Sequence, residues 1–125
     1  PATLSRGIVH DLLRTELGFR GVVATDDMDM QAIADRYAAG EAAVRAMRAG
    51  CDMVMSCQSL DSAVAARDAM AAALAAGEVD PDEHAASLER IAGLRRLRPR
   101  DLPLDCPLPC PEHAAVVAEI EAKIA

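Results

Sequence analysis

The sequence predicts an α/β fold in which short parallel strands are joined by crossover helices. Three observations predict it. Residues 21–25, GVVAT, and 51–57, CDMVMSC, are short apolar runs without polar alternation, as in strands covered on both faces. Stretches with apolar residues at helical spacing flank each run. The resulting order, helix, strand, helix, strand, helix, helix, is one unit of a parallel sheet. Two strands do not make a free-standing domain of this kind, and a (β/α)₈ barrel takes about 250 residues. The 125 residues therefore read as a portion of something larger.

Residues 5–17 are the first expected helix, with Ser5 as N-cap and Ile8, Val9, Leu12, Leu13 and Leu17 on one face. Gly18 supplies a left-handed stop, and Phe19 can fold back onto the last turn. GVVAT is the first strand. Residues 30–50 follow as one or two helical pieces, broken near Gly40 and stopped at Gly50. CDMVMSC is the second strand. Residues 59–76 read as an alanine-rich helix ending at Gly77. Asp80 to Glu83, DPDE, is a strong helix start: an Asp cap, Pro at the first helical position, and Glu at the third. That helix is expected to turn Leu88, Ile91, Leu94 and Leu97 inward and to end before Pro99. Residues 99–111 form a proline-rich connector. A final helix carries Val116, Val117, Ile120 and Ile124 on one face. The expected division is 1–98 as the α/β portion and 99–125 as connector and terminal helix.

Composition narrows the function classes. The net charge of −7 leaves no electrostatic footprint for nucleic acid or an anionic membrane. Lys123 is the only lysine, and Phe19 and Tyr37 are the only aromatic residues. The core must come from aliphatic side chains and alanine, which buries little surface. No apolar run reaches the roughly 18 residues of a membrane span, and no signal peptide is visible. Pro1 in place of Met fits removal of an initiator residue or a cut from a longer chain. Cys51, Cys57, Cys106 and Cys110 are expected to be reduced thiols in a cytoplasmic protein. CPLPC lacks the two further ligands of a zinc site, so no metal is expected there.

The chemistry-bearing feature is the acid pair Asp26 and Asp27, directly after the first apolar run. In parallel sheets the carboxyl ends of the strands line the site. Side chains alternate along a strand, so Asp26 shares the face of Val22 and Ala24. A carboxylate aimed into a barrel mouth acts as nucleophile, base or metal ligand. The competing reading makes both acids loop residues, one capping the next helix. A phosphoacceptor receiver fold also carries an acid pair after its first strand. It further needs an Asp ending a later strand and a nearby Lys. Here the second strand runs into Ser56 and Cys57, and Lys123 is in the tail.

Longer stretches resemble one known family. PATLSRGIVHDLLRTELGFRGVVATDDMDM is similar to the segment of glycoside hydrolase family 3 that runs into its nucleophile strand, most of all in the bacterial beta-N-acetylglucosaminidases. The likeness is carried by Pro1 to Ser5, Leu12 to Arg14, Glu16 to Phe19, Gly21 to Val23 and Thr25 to Met30, with Met28 where Leu is commoner. Ala43 to Asp52 resembles the family's Ala-Val-x-Ala-x-x-Ala-Gly-x-Asp segment, and SLERIAGLRRL its closing helix. From Pro99 onward the resemblance is weak.

The resemblance implies a (β/α)₈ barrel in the complete protein, with this chain as its C-terminal portion plus a helical tail. It implies Asp26 as catalytic nucleophile, with Asp27, Met28 and Met30 in support. The implied substrates are beta-linked N-acetylglucosamine glycosides from cell-wall turnover, and neither a cofactor nor a metal is implied. The family's proton donor, a His in an Asp-(Ser/Thr)-His motif, and its sugar-binding Lys-His-Phe-x-Gly-His-Gly segment lie upstream and are not in these residues. His10, His84 and His113 lack those surroundings; His10 and His84 read as ordinary helix-surface residues. The isolated chain is thus expected to be inactive, to need the preceding part of the barrel as partner, and to associate through open strand edges. The alternative is a non-catalytic binding or assembly module in which the acid pair is a relic.

Overall fold

The structure, a computed structural model, describes residues 1–97 and 111–124. The expected boundary at 98/99, the connector and Cys106 and Cys110 lie outside the described residues. Two parallel strands, β1 (Ala24–Asp27) and β2 (Met53–Met55), form the sheet. The helices are α1 (Gln31–Ala34), α2 (Ala39–Ala49), α3 (Leu60–Ala75), α4 (Pro81–Arg96) and α5 (Pro111–Ile124). A short 3₁₀ turn, Ala2–Leu4, and a helix over Gly7–Glu16 precede them.

The opening helix departs from its expected period. It is wound as a π-helix, and its last turn closes with the Leu17 N–H donating to the Leu12 carbonyl, five residues back. Residues five apart then share a face, so Val9 and Arg14 are the buried pair, while Ile8, Leu12 and Leu17 are exposed. The residue at its N-cap is Arg6, with no side-chain capping bond; Ser5 contributes its backbone carbonyl to Ile8 and Val9. Gly18 is left-handed as expected, and the Phe19 N–H bonds the Leu13 carbonyl. The Phe19 ring lies against Gly21.

β1 begins three residues later than the apolar run and takes both acids into the strand. It pairs with β2 through Ala24↔Met53 and Asp27↔Met55, which leaves one extra residue on β1. Such a bulge needs a substitute acceptor, and the Thr25 hydroxyl supplies it: Oγ1 takes the Met55 N–H at 3.0 Å. The Met28 N–H then donates to the Met55 carbonyl at 2.9 Å.

The core lies on one side of the sheet. Val23 and Val54 pack there against Val9, Met28, Ile33, Ala42, Ala46, Ala49 and Cys51. On the other face Ala24, Asp26, Met53 and Met55 are exposed. The expectation of strands covered on both faces is therefore met on one face only, because the described residues place their helices on a single side.

The break between α1 and α2 falls at residues 35–38, not at Gly40. Gly40 sits inside the first turn of α2, where a Cβ would lie 2.8 Å from the Ala69 Cβ and 3.2 Å from the Ala65 carbonyl oxygen. Its role is close approach of α2 to α3. Gly50, at φ +109°, ends α2 as expected. Ser59 caps α3 by accepting the Ser62 N–H, and Asp80 caps α4 by accepting the Asp82 and Glu83 N–H groups. The inward face expected of α4 is covered only in part: Ile91 is half-buried, while Leu88, Leu94 and Leu97 are exposed. Val116, Val117 and Ile120 of α5 are likewise exposed. No helix among the described residues is long and apolar enough to cross a membrane.

Candidate active site

The two ends of the sheet carry different polar clusters. At the amino end, Asp52 enters β2 with its side chain 1% exposed. Its Oδ2 accepts from Arg14 Nη2 at 2.6 Å and from the Val23 N–H at 2.9 Å, and its Oδ1 accepts from Arg90 Nη2 at 2.7 Å. Burial works against the Asp52 charge. Hydrogen bonds from Arg90, the Val23 N–H, Ser87 and Arg14 outweigh it and hold the carboxyl below the usual carboxylate range. Arg14 also donates to the carbonyls of Gly50 and Gly21. This cluster binds the opening helix, both strand entries and α4 together. Two guanidinium groups thus share one buried carboxylate, both of whose oxygens are taken up within the fold.

The carboxyl end is open by comparison. Asp26 and Asp27 close β1, and alternation separates them: Asp26 is exposed on the face of Ala24, and Asp27 is half-buried. Asp26 Oδ1 accepts the Asp27 N–H at 2.8 Å. Asp27 reaches the segment after β2, where its Oδ1 accepts the Cys57 N–H at 3.0 Å, and it also accepts the Asp29 N–H at 3.1 Å. Asp29 makes a second crossing. Ser62 Oγ donates to Oδ1 at 2.6 Å, Ser56 Oγ to Oδ2 at 2.7 Å, and the Gln58 N–H to Oδ2 at 3.1 Å. The Ser62 and Ser56 hydroxyls and the Gln58 amide hold the Asp29 carboxyl below its ordinary value.

The four residues expected at the site are thus divided. Asp26 and Asp27 stand together at the strand end. Met28 is buried in the core beneath them, and its backbone bonds β2. Met30 is exposed at the head of α1, where its N–H reaches the Asp27 carbonyl at 3.3 Å. Asp29 and Asp52 stand in the family-like segments of the sequence, which assign them no role. An acid directly ahead of an apolar strand run, as Asp52 is, needs a cationic partner once buried. That was the available signal. Nothing local marks Ser56 and Ser62 as partners of Asp29.

A cavity of about 560 Å³ lies elsewhere. His10, Arg14, Asp52, Glu83, His84 and Arg90 are in its lining, and neither Asp26 nor Asp27 is. His10 and His84 are half-buried there, not on the open helix surface as expected. The cause is the docking of α4 through the Arg6–Glu83 ion pair, which brings Glu83 within 3.4 Å of His10 Nε2. His113 is exposed on α5. No group of three metal-ligating side chains occurs among the described residues.

Residues 1–94 match the Glycosyl hydrolase family 3 N terminal domain. The beta-hexosaminidase of Chromobacterium violaceum is 40% identical over 96 residues, covering 77% of this chain and 25% of that protein. That of Nitrosomonas eutropha is 44% identical over 63 residues, covering 50% of this chain and 18% of that protein. Among solved structures, a glycoside hydrolase family 3 beta-N-acetylglucosaminidase from Paenibacillus sp. str. FPU-7 superimposes with a TM-score of 0.74 at 40% identity, covering 77% of this chain and 18% of that one. This chain spans a quarter or less of the length of these relatives. Its two parallel strands and their helices are similar to part of those structures, and the match extends over most of the residues: this chain belongs to glycosyl hydrolase family 3, through the family's N-terminal domain.

Proposed function

We propose that this chain supplies the nucleophile-bearing part of a retaining beta-N-acetylhexosaminidase barrel, with Asp26 as the nucleophile. The observation that carries the reading is the position of the Asp26 carboxylate. It is exposed at the carboxyl end of β1, on the sheet face turned away from the helices. Met53 and Met55 on the same face leave apolar surface for the rest of a barrel interior to cover. Residues 1–98 belong to the barrel in this reading, and 99–125 form a connector and terminal helix outside it. The substrates are beta-linked N-acetylglucosamine glycosides of cytoplasmic peptidoglycan turnover, the class acted on by beta-N-acetylglucosaminidases.

An Asp26 oxygen attacks the anomeric carbon and forms an ester bond to it as the glycosidic C–O bond breaks. The departing oxygen takes a proton from an acid supplied by the remainder of the enzyme. Water then attacks the same carbon, giving its proton to the group that had acted as acid, which releases the sugar and restores the Asp26 carboxylate. Negative charge at Asp26 also stabilises the oxocarbenium-like transition state. Asp27 holds the strand end to the segment after β2. Without the proton donor, leaving-group assistance of roughly 10²–10⁴-fold is lost, so the 125-residue chain alone is inactive.

The test is covalent trapping in an active complete barrel, made by joining this chain to the preceding part of a family 3 beta-hexosaminidase. A 5-fluoro-N-acetylglucosaminyl fluoride should label the peptide containing Asp26. Asp26→Asn should abolish labelling and lower turnover on the order of 10⁴-fold or more. Label on another residue, or near-normal turnover of the variant, removes the assignment. The exposed Met53 and Met55 also favour a second reading, an assembly module in which a second copy covers them; a monomer in sedimentation removes that one.

A further inference from the structure

We propose that Asp29 is a positioning residue for the Asp26 carboxylate, acting by stapling the turn after β1 to the segment after β2. The proposal rests on Asp26 being the nucleophile. Among the described residues, the Asp26 carboxylate accepts a single hydrogen bond, from the N–H of its own neighbour Asp27. Within this chain its direction is therefore set by the backbone of residues 26–30.

That backbone is a short turn closed by the Met30 N–H on the Asp27 carbonyl at 3.3 Å. Its first half is tied across the sheet by the Met28 N–H on the Met55 carbonyl and the Cys57 N–H on Asp27 Oδ1, whereas the N–H groups of Asp29 and Met30 bond only within the turn. The Asp29 side chain ties down that second half. Its carboxylate takes three donors from two places, Ser56 and Gln58 after β2 and Ser62 in the first turn of α3. Its carbonyl takes a fourth, from Gln58 Nε2 at 3.2 Å. Two hydrogen bonds carry the constraint back: Asp29 N–H to Asp27 Oδ1, then Asp27 N–H to Asp26 Oδ1. A nucleophile must sit about 3–3.5 Å from the reacting carbon, and a displacement of about 1 Å costs roughly 10²-fold.

The donors also say which replacement serves. Oδ2 must accept twice, from Ser56 and the Gln58 N–H, while Oδ1 meets only the Ser62 hydroxyl. Asparagine with its oxygen at the Oδ2 position keeps the first two bonds. Its amide then donates to the Ser62 hydroxyl, which rotates to accept. Alanine keeps none of the three.

The experiment uses the active complete barrel, with kcat expressed per site titrated by the fluorosugar. Asp29→Ala should lower kcat per titrated site by about 10²-fold with KM changed by less than about 3-fold. Asp29→Asn should hold both within about 5-fold. A merely structural role lowers the number of titrated sites and leaves kcat per site unchanged. Should Asp29→Ala fail to fold, the double variant Ser56→Ala/Ser62→Ala makes the same test and should lower kcat in the same sense. The proposal is overturned if kcat per site stays within about 3-fold of the parent. It is equally overturned if Asp29→Asn is as impaired as Asp29→Ala. Normal turnover of Asp26→Asn in the same barrel removes the nucleophile assignment instead, whatever Asp29 shows.

Discussion

Arg14 and Asp52 stand 2.6 Å apart at the amino end of the sheet, with side chains 10% and 1% exposed. Arg90 reaches the second Asp52 oxygen at 2.7 Å, so one carboxylate joins the opening helix and α4 across both strand entries. Removing one member of a buried pair leaves the other uncompensated, at a cost of about 3–5 kcal/mol. Asp52→Ala should therefore destabilise the chain by about that amount in urea unfolding. A change under about 1 kcal/mol would show that the cluster is dispensable.

Acid should weaken the fold. The carboxyls of Asp29, Asp52 and Glu83 are all held below their ordinary values of 3.8, 3.8 and 4.5. For Glu83 the chief cause is its hydrogen bond from Arg6. As pH falls, the unfolded chain binds protons first. The stability from these groups is then complete above those ordinary values and is lost as pH drops through the depressed folded ones. The urea midpoint should fall between about pH 6 and about pH 3, and fall less in Asp52→Asn. A pH-independent midpoint would contradict this.

Gly40 is held by packing rather than by backbone conformation. Gly40→Ala places its methyl 2.8 Å from the Ala69 Cβ. Overpacking of that kind costs about 1–3 kcal/mol. Ala69→Gly in the same chain should recover part of the loss. A neutral Gly40→Ala in denaturant titration would mean that α2 and α3 separate freely.

The two described thiols should differ in reactivity. Burial, with the Asp52 charge adding and Arg14 opposing, pushes the Cys51 thiol up to about 11. Its Sγ lies 3.7 Å from the Thr3 carbonyl, whereas Cys57 is exposed. The thiolate is the reactive form. Iodoacetamide at about pH 8 should therefore label Cys57 well before Cys51, as read by peptide mass. Cys51 should react only with added denaturant. Comparable rates at the two positions would show that the region around Thr3 opens readily.

Local chemistry was legible in the sequence where it is self-contained. The DPDE start, the Gly50 and Gly77 stops, and the parallel pairing of the two apolar runs all appear. Features set by distant partners were not legible. The π-winding moved the buried stripe of the opening helix to Val9 and Arg14, which a 3.6-residue period does not anticipate. The bulge at Thr25 depends on a hydroxyl meeting Met55 across the sheet. The acid pair was visible at once, but its fastening through Asp29 involves Ser56 and Ser62, 27 and 33 residues away. Leu88, Leu94 and Leu97 show the reverse case: their spacing marks an apolar stripe, and of its members only Ile91 is half-buried.

Among the described residues Ala42, Ala43 and Ala46 are 0% exposed, and no larger apolar side chain is as fully enclosed. Melting this interior hydrates methyl groups more than long aliphatic or aromatic surface. Its heat-capacity increment should therefore fall below the usual ~12–15 cal/mol/K per residue. In calorimetry such a domain has a shallow stability curve: it resists cold, yet draws little enthalpy at its thermal transition.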